Sequence, residues 1–272
     1  MEFRTHEPPS FASSFRANFL YMFREEWRQN IDFAKKRRIM MFPVMLALVT
    51  MVTTIGLRFL TGEAEIGGIS AAEQAEKAFS WNELKMALHV SLFMFSLGMG
   101  TFAFAGRNAL VNRGGGKSFL LGSPALQPLE LPPVYLAYYV KEVAFYLCMI
   151  LTPAVAGMGM GIILAKYTML TTPLIWQSLP ILLLCLLLTM MQGLAFSFLA
   201  SAIWARWKAG FLVVPLFGAG AAILVGIDVI PLEWAILGLQ VQLSHNLTIA
   251  PFVMLTSLVI AAVGAGAAGS WS

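Results

Sequence analysis

The stretch IMMFPVMLALVTMVTTIGL, residues 39–57, decides the fold, because it runs its whole length without a charged side chain. A hydrocarbon layer about 30 Å thick takes around 20 apolar residues of helix to cross, so this stretch reads as a membrane span. Working outward from it, the span extends to 39–60, and comparable apolar runs follow at 84–106, 134–164, 175–203, 209–230 and 249–268. The last run is rich in glycine and alanine and ends without a basic anchor. Composition agrees: 58% of the residues are hydrophobic and 12% charged, against about 25% charged in soluble domains. The chain is therefore read as an all-α membrane protein with a six-span domain over 39–268.

Charge sets the orientation. Arg16, Arg24, Arg28 and the run Lys35-Lys36-Arg37-Arg38 precede the first span; Arg107, Arg113 and Lys117 lie between the second and third, and Arg206 and Lys208 between the fourth and fifth. The loop after the first span is acidic, with Glu63, Glu65, Glu73, Glu76 and Glu83, and the one after the fifth holds Asp228 and Glu233 with no lysine or arginine. Basic loops stay in the cytoplasm, which gives a multi-pass protein of the cell membrane with both termini cytoplasmic. The pI of about 9.2 then reports topology and contact with anionic lipid heads rather than nucleic acid.

The cytoplasmic N-terminus, 1–38, is too long, aromatic and charged for a cleavable signal peptide. Within it, Phe15, Phe19, Met22, Phe23 and Trp27 recur at spacings of three and four among Arg16, Arg24, Glu25 and Arg28. That periodicity predicts an amphipathic helix on the cytoplasmic-side interface, serving either as an anchor for the first span or as a surface for a cytoplasmic partner.

Gly116-Lys117-Ser118 ends like a phosphate-binding loop, yet the spacing G-x-x-x-x-G-K-S requires glycine where Val111 stands. This chain is not expected to bind ATP there. The surrounding loop, 107–133, combines Arg113 and Lys117 with Phe119-Leu120-Leu121 and then Pro124, Pro128, Pro132 and Pro133. Apolar residues flanked by cations and closed by prolines predict a short helix with a small greasy surface.

The order of amphipathic helix, span, acidic external loop, span, and then the glycine-containing stretch KSFLLGSP resembles the permease subunits of the type 2 ABC exporter family. The resemblance implies that the loop is a coupling element docking on a separate ABC ATPase subunit, with Arg113, Gly116, Lys117, Leu120, Leu121 and Pro124 at the contact. Lys141 falls where the family often has a lysine entering the third span. ATP and magnesium would be bound by that partner and no cofactor by this chain; a second permease subunit, identical or not, would complete the pathway. The external segment 228–248 reads either as short re-entrant helices, as the resemblance implies, or as an ordinary loop with a buried turn.

Polar groups at membrane depth point to function by default. His89 and Gln192 are the candidates for a substrate pathway, with helix-to-helix hydrogen bonding as the other reading of each. Lys141 and Glu142 are expected to reach the cytoplasmic interface, and Cys148 and Cys185 to be packed apolar side chains. Gly157-x-x-x-Gly161 lets a second helix approach closely, Ser96-x-x-x-Gly100 is a second small-residue surface, and Thr152-Pro153 is expected to kink the third span. No H-E-x-x-H or G-x-S-x-G motif occurs, and His6, His89 and His245 are not spaced as metal ligands. The chain is therefore expected to be no enzyme, with no catalytic residues and no metal. A secondary transporter is the alternative, and a membrane-embedded lipid-modifying enzyme a weaker one.

Overall fold

The computed structural model describes residues 10–33, 37–60, 80–113, 131–167, 174–206 and 231–269, with five isolated positions from 220 to 229. The described residues are almost entirely helical, without a strand among them. In chain order the helices are α1 (Phe11–Phe33), α2 (Arg37–Leu60), α3 (Trp81–Arg113), α4 (Leu131–Tyr146), α5 (Thr152–Tyr167), α6 (Leu179–Arg206), α7 (Leu232–Ala235), α8 (Leu237–Ser244) and α9 (Ala250–Gly269). Three helical segments are long and apolar enough to cross a membrane, Pro132–Tyr167, Trp176–Ile203 and Leu247–Ala267, and Met41–Leu57 is a shorter apolar helix. The glycine-rich run at the end of the chain thus forms a helix of full spanning length. The run 209–230 lies almost wholly outside the described residues.

Helix α6 is the centre of the bundle: 67% of its apolar stretch is buried, against 33% and 28% for the other two long segments. Helices α3, α8 and α9 pack on it, and α4 touches both α6 and α9. Phe198 of α6 is fully buried beneath Tyr135, Tyr138 and Tyr139 of α4, with ring centroids 5.3–5.5 Å apart. Tyr135 donates its hydroxyl to the Phe198 carbonyl, and Tyr139 donates to the Met191 carbonyl at 2.9 Å. Each phenol thus supplies a large apolar face and a satisfied polar tip at the same joint.

Between α4 and α5 the backbone widens into a π-turn over Leu147–Leu151, closed by the Thr152 N–H on the Leu147 carbonyl. Pro153 follows at once; it has no N–H to donate and its ring crowds the preceding turn, and the wider turn relieves both problems. The proline position was legible in the sequence, and the π-turn is the form its distortion takes. The 36 residues of Pro132–Tyr167 amount to about 54 Å of helix at about 1.5 Å per residue, far more than one perpendicular crossing uses.

The structure corrects three expectations, for Lys141 and Glu142, for the start of the segment 107–133 and for Cys148. On α1, which packs on α4, the residues turned inward are Ser14, Asn18 and Met22, one turn apart. The aromatic row, with Phe15 stacked on Phe19 and Phe19 on Phe23, is only partly covered. Small side chains bring two helix axes closer than a row of phenylalanines would. Lys141 and Glu142 do not reach an interface: they are 1% and 5% exposed and paired at 2.6 Å, with the ammonium 4.2 Å from the Tyr138 ring centroid. Helix α3 runs on to Arg113, so the segment read as a loop from 107 begins as helix. Of the two cysteines, Cys185 is buried and Cys148 is exposed.

Candidate functional site

Helix α3 begins with a reciprocal cap: the Ser80 hydroxyl accepts from the Glu83 N–H at 3.2 Å, and the Glu83 carboxylate accepts from the Ser80 N–H at 2.7 Å. Such a capping box fixes where the helix starts. The Ser80 hydroxyl, and after it the Ser80 N–H, holds the exposed Glu83 carboxyl below its ordinary range. From that start, His89, Leu92 and Ser96 fall on one stripe by helical spacing, and α3 packs on α6. Ser96 turns its hydroxyl back to the Leu92 carbonyl at 2.6 Å, and a side chain at Gly193 would collide with that hydroxyl and with the Phe93 carbonyl.

His89 is fully buried and bonded on both ring nitrogens. Nδ1 lies 2.6 Å from the Thr189 hydroxyl of α6, and Nε2 lies 2.5 Å from the Gln242 side-chain carbonyl of α8. A carbonyl oxygen can only accept, so the neutral ring carries its proton on Nε2 and receives the Thr189 hydroxyl at Nδ1. Thr189 and Gln242 are 0% and 9% exposed. Three helices are therefore joined by one neutral chain of hydrogen bonds. Gly238 makes the approach geometrically feasible, since a Cβ there would sit 2.5 Å from the Cys185 carbonyl and against the Thr189 hydroxyl.

Gln192 does related work nearly one turn further along α6. Its amide donates to the Ala235 carbonyl at 2.9 Å, and its carbonyl accepts from the Leu237 N–H at 3.1 Å. These two groups flank Ile236, where the backbone leaves helical geometry at φ −115° and ψ 92°. A break between two helices strips backbone groups of their intrahelical partners; one glutamine side chain replaces a donor and an acceptor at that break. Helix α8 ends on His245, in the left-handed region at φ 53°.

Beside this network lies a cavity of about 150 Å³ between α2, α3, α5, α6 and α8. Its wall is mainly apolar, from Leu57, Leu84, Leu88 and Leu182, and its polar members are Lys85, Gln242 and three threonines of α2. Gln242 thus faces the cavity while bonding His89.

The remaining sequence candidates fall in different places. Gly157 and Gly161 line the contact of α5 with α2: a Cβ at Gly161 would lie 2.7 Å from the Met51 carbonyl, and one at Gly157 would strike the Ala47 carbonyl and the Thr50 hydroxyl. Arg113 ends α3, while Gly116, Lys117, Leu120, Leu121 and Pro124 lie outside the described residues. His89 and Gln192 were visible as polar residues in apolar runs, and the structure brings both to the segment that includes α7 and α8. Thr189, Gln242, Gly193 and Gly238 were missed, since nothing local distinguishes them. Among the described residues, no group of three or more histidine, cysteine or acidic side chains could hold a metal. Comparison with protein-family models, curated proteins and solved structures gave no match to this chain.

Proposed function

We propose that the chain is the membrane subunit of an ATP-driven exporter, with six spans and both termini cytoplasmic, coupled through the loop 107–133 to a separate ABC ATPase. The observation that carries this reading is the pair of short helices α7 and α8, α8 packed on α6 and α3 and α7 bonded to α6 through Gln192, in the segment where the type 2 exporter resemblance implies re-entrant external helices. A second support is α1, a separate helix ahead of the first span, packed on α4. In this reading α7 and α8 cap the outer end of the pathway, and His89 and Gln192 position that cap.

No motor belongs to this chain under the proposal. ATP and magnesium bind in the partner ATPase, whose closing and opening switch the spans between two packings as rigid bodies; a second permease subunit, the same or different, forms the other half of the pathway. The test is affinity purification of the full chain from its native membrane in mild detergent, comparing wild type with Leu120→Asp/Leu121→Asp. An ATPase carrying a complete phosphate-binding loop is expected with the wild type and absent from the variant. Identical partners with both, or none with either, would shift the reading to a self-contained secondary transporter.

A further inference from the structure

The cavity beside the His89 network has a chemistry of its own. The threonines on its wall direct their hydroxyl protons into their own helix: Thr50 to the Leu46 carbonyl at 3.0 Å, Thr53 to Val49 at 2.8 Å and Thr54 to Thr50 at 2.8 Å. Their protons are therefore not presented to a guest. Gln242 has its carbonyl on His89, which leaves its amide, the Lys85 ammonium and the Trp81 indole N–H as donors on the wall. Lys85 makes no ion pair among the described residues and lies 5.9 Å from the Trp81 ring centroid. Among the described residues, no carboxylate lines the cavity. An apolar cavity of roughly 150 Å³ accepts a guest the size of benzene, and a lysine at the wall of such a space favours an anion.

We infer that this cavity binds an amphipathic anion, with its charged group on Lys85 and an apolar segment of one ring or a few methylenes between α2 and α3. The inference deepens the exporter proposal, on which it rests only in treating the guest as cargo. A guest seated there touches Gln242 and so adjoins the bond that holds α8 to His89. Cargo binding and the placement of the outer cap share one side chain.

The test uses the full chain in phosphatidylcholine nanodiscs, without any ATPase, and the probe is 4-bromobenzoate, one ring with a carboxylate, whose bromine quenches tryptophan fluorescence on contact. Saturable quenching is expected, and it should disappear in Trp81→Phe. In Lys85→Met the Kd should rise about tenfold, the equivalent of one modest charge interaction, and Lys85→Arg should restore it, which separates lost charge from lost folding. The neutral 4-bromobenzyl alcohol should bind more weakly and ignore the Lys85 substitutions. Discs containing bromine-labelled phosphatidylglycerol distinguish the source: quenching that the free acid cannot relieve identifies a lipid anion, and quenching that it relieves identifies a soluble one. An unchanged Kd in Lys85→Met, or alcohol binding equal to acid binding, overturns the inference. Because no ATPase is present, that failure leaves the exporter proposal standing, and failed co-purification leaves the binding result standing.

Discussion

The contact of α2 with α5 and the contact of α3 with α6 and α8 join helices by opposite means. At the first, Gly157 and Gly161 lie under the backbone of α2 at Ala47 and Met51, and the threonines there bond back into their own helix. At the second, Thr189, His89 and Gln242 form a continuous polar chain across three helices. Between apolar helices in lipid, burial from water supplies little drive, so association rests on close packing or on interhelical hydrogen bonds. A packed seam fails when an atom is added, whereas a polar seam fails when one is removed. The difference also bears on motion, since an interface of few directional bonds has discrete alternative pairings and a glycine seam has mainly one close fit.

Substitutions can break this contrast at either seam. The largest effect is expected for Gly157→Leu, because the obstructing atom is the Ala47 backbone carbonyl, which cannot rotate away. Overpacking of this kind costs about 1–3 kcal/mol or more, to be read as earlier unfolding in a mixed-detergent titration, with Gly157→Ala intermediate. His89→Leu should cost about 1–2 kcal/mol by leaving Thr189 and Gln242 without their partner. Its signature is recovery: His89→Leu combined with Thr189→Val should be less destabilised than the sum of the two single changes. No comparable recovery is expected from pairing Gly157→Leu with a change at Met51.

The smallest effect lies at the start of α3. The capping box holds the Glu83 carboxyl below its ordinary range, so its stabilisation is present above that range and is lost as pH falls through the lowered folded value. Protection of the first-turn amides of α3, taken relative to their intrinsic exchange rate at each pH, should fall on acidification in the wild type and be lower and flatter with pH in Glu83→Gln. A wild type whose first-turn protection is independent of acid would remove the cap from the account.

The helical, membrane-type character of the chain could be read directly, because an apolar run such as 39–57 carries its meaning in a single local stretch. The same holds for Gly157-x-x-x-Gly161 and Thr152-Pro153, whose consequences fall within a turn or two. The polar seam was half legible. His89 stood out by its depth, but its partners lie 100 and 153 residues away, and no local pattern marks Thr189 or Gln242 as special. On α1, periodicity marks Met22, which is buried in the core with the α4 tyrosines, but it cannot show that Ser14 and Asn18 turn inward beside it, because that contact depends on the small side chains of a distant pairing. The Ser80-Trp-Asn-Glu83 cap is a sequence-level signal that a search for apolar runs passes over. Of the loop residues at the expected ATPase contact, all but Arg113 lie outside the described residues.

Under the exporter proposal two segments lie on opposite sides of one membrane, the loop around Lys117 inside and the α7–α8 cap outside. The most direct measurement is cysteine labelling in intact cells with a membrane-impermeant maleimide, using Lys117→Cys and Glu233→Cys in a Cys148→Ser/Cys185→Ser background. Labelling of Glu233→Cys in intact cells, with Lys117→Cys labelled only after permeabilisation, is the expected result. Labelling of both positions from the same side would contradict the six-span arrangement and, with it, the assignment of α7 and α8 as the outer cap.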